Sequence, residues 1–359
     1  MRSTMNPPDI TTVVFDWGNT LMRVDPRFSG PMMLWDEVST MPGAEEVLFS
    51  LQKKFRLVVG TNAADSNAYQ VGKALERVNI KKPFHAIFTA RELGARKPDL
   101  KFFRQMESVL GMRPEQMVMV GDKFSEDVLG AKRAGWRAIW YNPDGESAPG
   151  LLPLQDGDIQ HLSYLPDSLF SLDLPDVALC QSWMAEFGLP VSLQMHVQMV
   201  AAISYQLAVW LRKAGQKVNP LLVHRSGLLH DLAKMQTLGK ENPSSMGHAE
   251  LGARLMEDQG YPQIARVIRT HALHSLNELE TWEQKLVYFA DKLVEGSRLV
   301  ALEERIKALK QRYPHEAERI AVFESGLFRL QDEILGHVGI DNEEECLSML
   351  KASLTSKPA

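Results

Sequence analysis

Two patterns of apolar residues divide the chain. In the first half, short apolar or β-branched runs alternate with segments whose apolar residues have helical spacing, a pattern typical of βα units around a parallel sheet. The predicted strands are residues 11–16, 56–60, 86–88, 117–120 and 138–141. The predicted helices are residues 43–54, 68–78, 100–110 and 126–134. We therefore predict a doubly wound, Rossmann-like α/β domain.

The second half has a different pattern. Residues 142–175 are rich in Pro, Gly, Asp and Ser, with one apolar island at 159–165 that fits a last strand or a turn. Beyond Pro175 the strand signals vanish and long amphipathic segments follow, at 177–187, 196–214, 220–235, 249–259, 264–273, 283–307 and 317–335. The pattern predicts two domains: an α/β domain at 1–175 and an all-helical domain at 176–359.

Composition excludes several classes of protein. The chain of 359 residues is 45% apolar and 24% charged, ordinary values for a globular protein, and it has no apolar run of the ~18 residues that a membrane span needs. The first nine residues lack the apolar core of a secretory signal, so we expect a cytoplasmic protein. A net charge of −5 without a clustered basic surface argues against an extended nucleic-acid interface, and leaves small anionic substrates as the expected partners. Two scattered cysteines predict no disulfide framework, and a homo-oligomer is compatible with the sequence.

Polar residues follow the predicted strands of the first half. Asp16 closes the first strand, Thr61 and Asn62 follow the second, and Lys97 stands in an Arg-Lys-Pro-Asp segment. Two more carboxylates come after the fourth strand, at Asp122 and Asp127. Ligands of such sheets bind at the carboxyl ends of the strands. A carboxylate that attacks a phosphate is repelled by it, and a lysine with a Mg²⁺ ion would cancel that repulsion.

These four motifs, in this order over residues 11–141, resemble the haloacid dehalogenase (HAD) superfamily. The resemblance implies that Asp16 is a nucleophile forming an aspartyl-phosphate, with Thr61, Asn62 and Lys97 on the phosphate. It implies Mg²⁺ bound at Asp16, at residue 18 and at Asp122, with Asp127 beside them. The short gaps between the motifs predict a domain without a cap.

The sequence departs from this family at one position. Its phosphatases usually carry a second aspartate two residues after the nucleophile, where this chain has Gly18. That aspartate is the usual general acid and base, whose contribution is typically about 10²–10⁴-fold. Good leaving groups, such as acyl phosphates or anhydrides, would suffer least from its absence.

The helical half holds a second set of candidate ligands. Imidazoles and carboxylates suit divalent iron, manganese, zinc, cobalt or nickel. The candidates are His196, His230, Asp231, His248, His271 and Asp291. The phrases around His230-Asp231, His248 and Asp291 resemble the HD superfamily of metal-dependent phosphohydrolases, over about residues 188–305.

This second resemblance implies a role for each ligand. His196, His230, Asp231 and Asp291 would hold one ion, and His248 and His271 would complete a second ion with Asp231 bridging. Two such ions activate a water and stabilise the attacking and leaving oxygens. Lys234, one helical turn past Asp231, is placed to reach a substrate phosphate.

Three functions remain open from the sequence. The favoured one is a bifunctional phosphohydrolase acting on nucleotides or small phosphoesters. A second is a mixed-valent di-iron oxygenase on the HD scaffold, which would require O₂. In the third, which Gly18 supports, the HAD half only senses a phosphorylated metabolite and regulates the HD half.

Overall fold

A computed structural model describes residues 10–237 and 247–355. The first nine residues, on which the expectation about a secretory signal rests, lie outside that part. The chain forms two compact units. The first unit runs up to Glu146 and also includes Leu154–Asp173, and the second consists of Ser147–Pro153 with the residues from Leu174 onward. No helix of the described residues combines the length and apolarity needed to cross a bilayer.

Six parallel strands form the sheet of the first unit, in the order β3-β2-β1-β4-β5-β6. They are β1 Thr12–Phe15, β2 Arg56–Thr61, β3 Phe84–Thr89, β4 Met117–Gly121, β5 Arg137–Tyr141 and β6 Gly157–Ile159. The central strands are continuous apolar runs because helices cover both faces of such a sheet. The predicted α/β class is confirmed, and β6 ends at Ile159, the first residue of the apolar island, whose later residues form a 3₁₀ turn and begin a helix.

The helices of the first unit connect these strands. They are α1 Ala44–Leu51, α2 Ala68–Arg77, α3 Ala90–Leu93, α4 Leu100–Leu110, α5 Leu129–Arg133 and α6 Leu165–Phe170. The segment predicted as one helix at 126–134 is different in detail, since a π-helical turn at Phe124–Val128 precedes α5. Only short connections join β1 to β2 and β2 to β3, and they contain no cap domain.

The order of the strands brings the first set of polar motifs together. β1 lies between β2 and β4, with Phe15 level with Val59 on one side and Val120 on the other. The chain therefore leaves the sheet at Asp16 beside the carboxyl ends of both neighbours. This is the point where the strand order reverses, which is the usual ligand site of open α/β sheets.

The second unit is helical apart from one short hairpin. Its helices are α7 Val177–Glu186, α8 Val191–Lys213, α9 Pro220–Leu229, α10 Lys234–Thr237, α11 His248–Asp258, α12 Pro262–Arg269, α13 Trp282–Lys292, α14 Leu302–Arg312, α15 Ala317–Val338 and α16 Glu343–Thr355. Buried faces of α8 and α13 supply the centre of its core, including Leu207, Leu211, Leu286 and Phe289.

Two predicted helices of this unit are wrong as continuous elements. The segment at 283–307 is broken by a hairpin of β7 Val294–Glu295 and β8 Arg298–Leu299, where Gly296 turns the chain at a φ of 61°. Apolar periodicity continues across the hairpin and conceals the break. The segment at 220–235 also divides, because α9 ends at Leu229 and α10 begins at Lys234.

A close approach of α8 and α9 generates a stability prediction. A Cβ added at Gly227 would lie 2.7 Å from the Cα of Ala201. We expect Gly227→Ala to lower the free energy of unfolding by about 1–3 kcal/mol, because the two helices must separate. In the matched control Gly336→Ala, on the exposed face of α15, the added methyl meets nothing within 4 Å, and we expect a gain of about 0.5–1 kcal/mol. Differential scanning calorimetry measures both changes. Equal transition temperatures for the two variants would contradict the packing argument.

Candidate functional sites

Three carboxylates converge at the carboxyl edge of the sheet. Asp16 follows β1, Asp122 follows β4, and Asp127 lies in the π-helical turn. Each offers one oxygen, and these oxygens lie within 4.8 Å of one another. Gly121 makes this approach possible, since a Cβ there would lie 2.2 Å from a carboxylate oxygen of Asp127. Three carboxylates at this separation repel one another unless cations neutralise them.

Lys97 supplies a buried cation to this group. Its Nζ lies 2.6 Å from an oxygen of Asp16 and 2.6 Å from an oxygen of Asp127, and its side chain is 1% exposed. Burial alone would lower the pKa of Lys97, but the carboxylates of Asp127 and Asp16 outweigh it and raise that pKa. The lysine therefore stays charged. Burial, followed by the charge of Asp16, raises the pKa of Asp122 to about 6.

Neighbouring polar groups hold these side chains in place. The amide of Asn62 donates to the backbone oxygen of Lys97 at 3.0 Å and to Glu126 at 2.8 Å, and its oxygen accepts from the backbone N–H of Lys97 at 2.8 Å. The hydroxyl of Thr20 donates to Asp122 at 3.1 Å. Asn62 thus positions Lys97, a role that the sequence did not indicate. Thr20 was missed because a threonine after a turn has no distinctive pattern.

Thr61 and Gly18 lie in the same region of the first unit. Thr61 ends β2 with its side chain buried, and its hydroxyl accepts from the backbone N–H of Ala63 at 3.2 Å. Gly18 forms an isolated bridge to Met22 just after the nucleophile candidate. A Cβ built at Gly18 would lie 2.9 Å from a methyl of Val24. The loop is therefore packed around a glycine at this position.

The six candidate ligands of the second unit form two groups. His196, His230 and Asp291 lie together, and so do Asp231, His248 and His271, each group with ligand atoms within 4.8 Å. The groups adjoin, because the ring centroids of His230 and His271 are 5.0 Å apart. The ligands come from α8, the end of α9, the start of α11, the residues after α12, and α13.

Backbone carbonyls orient three of the imidazoles in the same way. The Nδ1 atoms of His196, His230 and His271 contact the oxygens of Gly296, Gly227 and Ile268 at 2.9, 2.8 and 2.6 Å. A neutral imidazole that donates from Nδ1 presents the lone pair of Nε2 to its other side. Carbonyl contacts of this kind are typical of metal-ligating histidines.

The Nε2 atoms of these imidazoles face other candidate ligands. His196 Nε2 lies 3.0 Å from a carboxylate oxygen of Asp291, and His248 Nε2 lies 3.0 Å from His271 Nε2. Within residues 10–237 and 247–355, the buried Nε2 of His230 has no hydrogen-bond partner. In its neutral Nδ1–H form, His196 directs the lone pair of Nε2 at a carboxylate, and a cation between the two would remove that repulsion. The donor set therefore fits divalent metal ions.

Charge and burial favour the ligating forms of these side chains. Burial lowers the pKa of His230 to about 3 and that of His248 to about 4, which keeps both imidazoles neutral. Burial opposes ionisation of Asp231, but its interactions with His230, His271 and Lys234 outweigh that effect and hold its pKa well below the usual value. The pKa of Asp291 is also held well below its usual value, because the charge of Lys292 and the neighbouring histidines outweigh the effect of burial. Neutral imidazoles and ionised carboxylates are the forms that bind metals.

Each of these two carboxylates divides its oxygens between a lysine and the cluster. One oxygen of Asp231 accepts from Lys234 at 2.6 Å, and the other lies 3.4 Å from His248 Nε2. One oxygen of Asp291 accepts from Lys292 at 2.6 Å, and the other faces His196. Lys234 therefore fixes a ligand carboxylate. Lys292 was missed because a lysine next to an aspartate is common in any sequence.

A cavity of about 300 Å³ adjoins the two groups of candidate ligands in the second unit. Asp231, His248, His271 and Asp291 line one part of it, together with Lys234. Small-molecule sites occupy ~300–1,000 Å³, so the cavity is large enough for a small phosphorylated molecule. His274 lines it too. His224 does not, and its ring contacts the guanidinium of Arg225 at 2.7 Å in the interior.

Comparisons with known proteins match one segment in each unit. Residues 24–135 match the family model for haloacid dehalogenase-like hydrolase, and residues 194–296 match the HD domain. Both resemblances predicted from the motifs are confirmed over these segments. Asp16 and Gly18 precede the first matched segment, and α14 and α15 follow the second.

Curated relatives cover only part of the chain. A glyceraldehyde 3-phosphate phosphatase of Methanothermobacter thermautotrophicus is 36% identical over 104 residues, or 29% of this chain and 45% of that protein. The pyrimidine 5'-nucleotidase PynA of Streptococcus pneumoniae is 32% identical over 106 residues, or 29% of this chain and 44% of that protein. The chain thus spans less than half the length of these relatives. A solved, uncharacterized protein from Listeria monocytogenes serotype 4b is 29% identical, covering 45% of this chain and 98% of that chain, at a TM-score of 0.41.

The buried triad of the first unit yields a prediction that is independent of function. Replacing Lys97 by Met leaves Asp16 and Asp127 without their shared cation, and we expect the first unit to lose about 3–5 kcal/mol of stability in metal-free protein. Adding Asp127→Asn should recover part of that loss. Thermal unfolding followed by calorimetry measures both effects.

The loss should also depend on pH. Burial raises the pKa of Asp127 in the folded state, so a proton can replace the missing ammonium below that pKa. The Lys97→Met protein is therefore expected to be less stable near pH 8 than near pH 5, relative to wild type. The exposed Lys101→Met on α4 is the control and should change little. A Lys97→Met protein as stable as this control would refute the argument.

Proposed function

Since the chain joins a haloacid dehalogenase-like segment to an HD-domain segment, we propose that it is a phosphohydrolase with a candidate catalytic site in each unit. The six candidate ligands of the second unit, which we call the HD site, support the proposal most directly. One observation supports it above all: six imidazole and carboxylate side chains from five parts of the second unit converge beside a cavity. Nothing in helix packing alone requires those side chains to meet.

In the HD site, the chain's own residues would bind metal and substrate. His196, His230, Asp231 and Asp291 would hold one ion, and His248, His271 and the shared Asp231 a second. Bound divalent iron, manganese, zinc, cobalt or nickel would supply Lewis acidity and an activated water. Lys234 and Lys292 keep the ligand carboxylates ionised and oriented. The cavity would admit the phosphate group.

In the first unit, we propose that Asp16 forms an aspartyl-phosphate. A carboxylate oxygen of Asp16 would form a bond to phosphorus while the bond to the leaving oxygen breaks, and water would later release phosphate and restore the carboxylate. Mg²⁺ would be held by Asp16, the backbone oxygen of Gly18 and Asp122, with Asp127 beside it. Lys97 would offset the negative charge, Thr61 and Asn62 would contact the phosphate, and Asn62 also holds the backbone of Lys97.

Gly18 favours good leaving groups or slow turnover in this site. The position has no carboxyl to protonate a leaving alkoxide. A Cβ at this position would lie 2.9 Å from a methyl of Val24, so an aspartate would require that side chain to move. This observation also favours a second candidate function for the first unit, in which it binds a phosphorylated metabolite without hydrolysing it.

We propose small phosphorylated molecules as substrates, nucleotides among them. Two partial relatives support this, since one is a glyceraldehyde 3-phosphate phosphatase and the other is a pyrimidine 5'-nucleotidase. The di-iron oxygenase alternative would require O₂, so the decisive assay measures phosphate release with and without oxygen.

Substitution of Asp231 tests whether transition metal and activity belong to the second unit. We expect Asp231→Ala to lower bound transition metal and, in an Asp16→Asn background, to reduce phosphate release by about 100-fold or more, because a ligand shared by both ions is lost. Asp16→Asn should leave the transition-metal content as it is. Elemental analysis of purified protein, with a phosphate-release assay, gives both readouts.

The control for that prediction is His315→Gln, which removes an exposed imidazole elsewhere in the second unit. It should retain wild-type metal content and activity. Full metal binding by Asp231→Ala, or product formation only in the presence of O₂, would overturn the proposal.

A gain-of-function prediction tests the role of Gly18. We expect the double variant Gly18→Asp with Val24→Ala to raise Mg²⁺-dependent hydrolysis of alkyl phosphates by about 100-fold, since it restores a general acid and removes the methyl that a Cβ would meet. Both the single Val24→Ala protein and the triple variant with Asp16→Asn should lack that gain. A rate unchanged in the double variant, at wild-type stability, would favour the sensor function instead.

A further inference from the structure

The cavity of the second unit has a wall that lies outside the HD match. That match ends at residue 296. Beyond it, α14 contributes Arg305 and Arg312 to the lining, and α15 contributes Arg319. Among the described residues, this wall adds one carboxylate to the lining, that of Glu316. We call these three arginines the basic wall.

Arg305 is the buried member of the basic wall. Arg305 is 8% exposed as a whole residue. Its buried Nε has no acceptor anywhere in the described parts of the chain. A buried guanidinium N–H without a partner is costly, and it is usually satisfied by a ligand or water. Because this Nε has almost no accessible surface, a ligand in the cavity would meet the terminal nitrogens of Arg305, one of which also pairs with Glu295.

Glu295 positions two members of the basic wall. One of its oxygens pairs with Arg305 and the other with Arg312. Its own place is fixed by the β7–β8 hairpin, whose Gly296 also holds His196. A single carboxylate shared by two arginines leaves the pair with a net positive charge. The basic wall and the candidate metal ligands line the same cavity, so an anion bound by one faces the other.

From these observations we infer that the basic wall binds a second anionic group of the substrate, a phosphate or carboxylate separate from the phosphate at the metal ligands. The inference rests on the proposed hydrolysis at the HD site and gives it a substrate class: small molecules with two anionic groups. Leu309, Ile320 and Phe323 line the same wall and would contact the apolar part of such a molecule.

Binding of inorganic pyrophosphate tests the inference directly. By isothermal titration of the full chain in an Asp16→Asn background, we expect Arg312→Gln and Arg305→Gln to weaken pyrophosphate binding by about tenfold each, through the loss of a charge-assisted hydrogen bond. Binding of orthophosphate should weaken much less. The side chain of Arg312 is 47% exposed, so its substitution removes little packing even if Arg305→Gln fails to fold.

Lys307→Gln is the matched control, because this exposed lysine lies on the same helix outside the cavity. It should bind pyrophosphate like wild type. Three results would each overturn the inference. They are failure of the Asp16→Asn parent to bind pyrophosphate, binding by Arg312→Gln equal to that of the parent, or a loss in Lys307→Gln equal to that in Arg312→Gln.

Turnover separates this inference from the proposed function. We expect Arg312→Gln to lose about tenfold more in kcat/KM on a sugar bisphosphate than on the matching monophosphate. Equal losses on the two would contradict a second anion site. Absence of phosphate release from either substrate in wild type would contradict the proposed hydrolysis, and the pyrophosphate titration would still decide the role of the basic wall.

Discussion

Neutralising buried carboxylates is the constraint on which both candidate sites depend. In the second unit, Asp231 and Asp291 each give one oxygen to a lysine at 2.6 Å and keep the other for the histidine cluster. In the first unit, Lys97 bridges Asp16 and Asp127. In the second unit the lysines help to keep the pKa of each carboxyl low, and in both units they restrict the carboxylate rotamers. Two unrelated folds therefore use the same solution for assembling negative charge away from water.

The fold could be predicted where local pattern and tertiary packing agree. The predicted strands of the first unit differ from the structure mainly at their ends, because buried parallel strands are continuous apolar runs bounded by turn residues. The helix predicted at 283–307 was wrong because apolar residues on both sides of the hairpin keep an approximate helical period. The only local sign of the break is the pair Gly296-Ser297, which is too weak to outweigh that period. The helix at Glu343–Thr355 was also missed, since its apolar face is narrow.

The candidate ligands could be predicted because their chemistry is confined to a few residue types. An adjacent His230-Asp231 followed by spaced His and Asp residues is rare, and the structure brings all six together. Supporting residues carry no such signal. Lys292, Glu295 and Arg305 are charged residues on amphipathic segments, where a solvated surface position is the ordinary interpretation. Only tertiary structure shows that Arg305 is buried beside the cavity.

The division of roles within the second unit follows from where its elements pack. Most candidate ligands lie on or beside α8, α9, α12 and α13, which contact one another and form the interior of the unit. Movement of one of these helices would displace ligands as well as core side chains. The basic wall lies on α14 and α15, which are more peripheral and have exposed charged faces. The hairpin joins the two groups, because Glu295 pairs with Arg305 and Arg312 while the neighbouring Gly296 contacts His196. In the proposed function, core helices would hold the reaction centre and outer helices would select the anions that approach it.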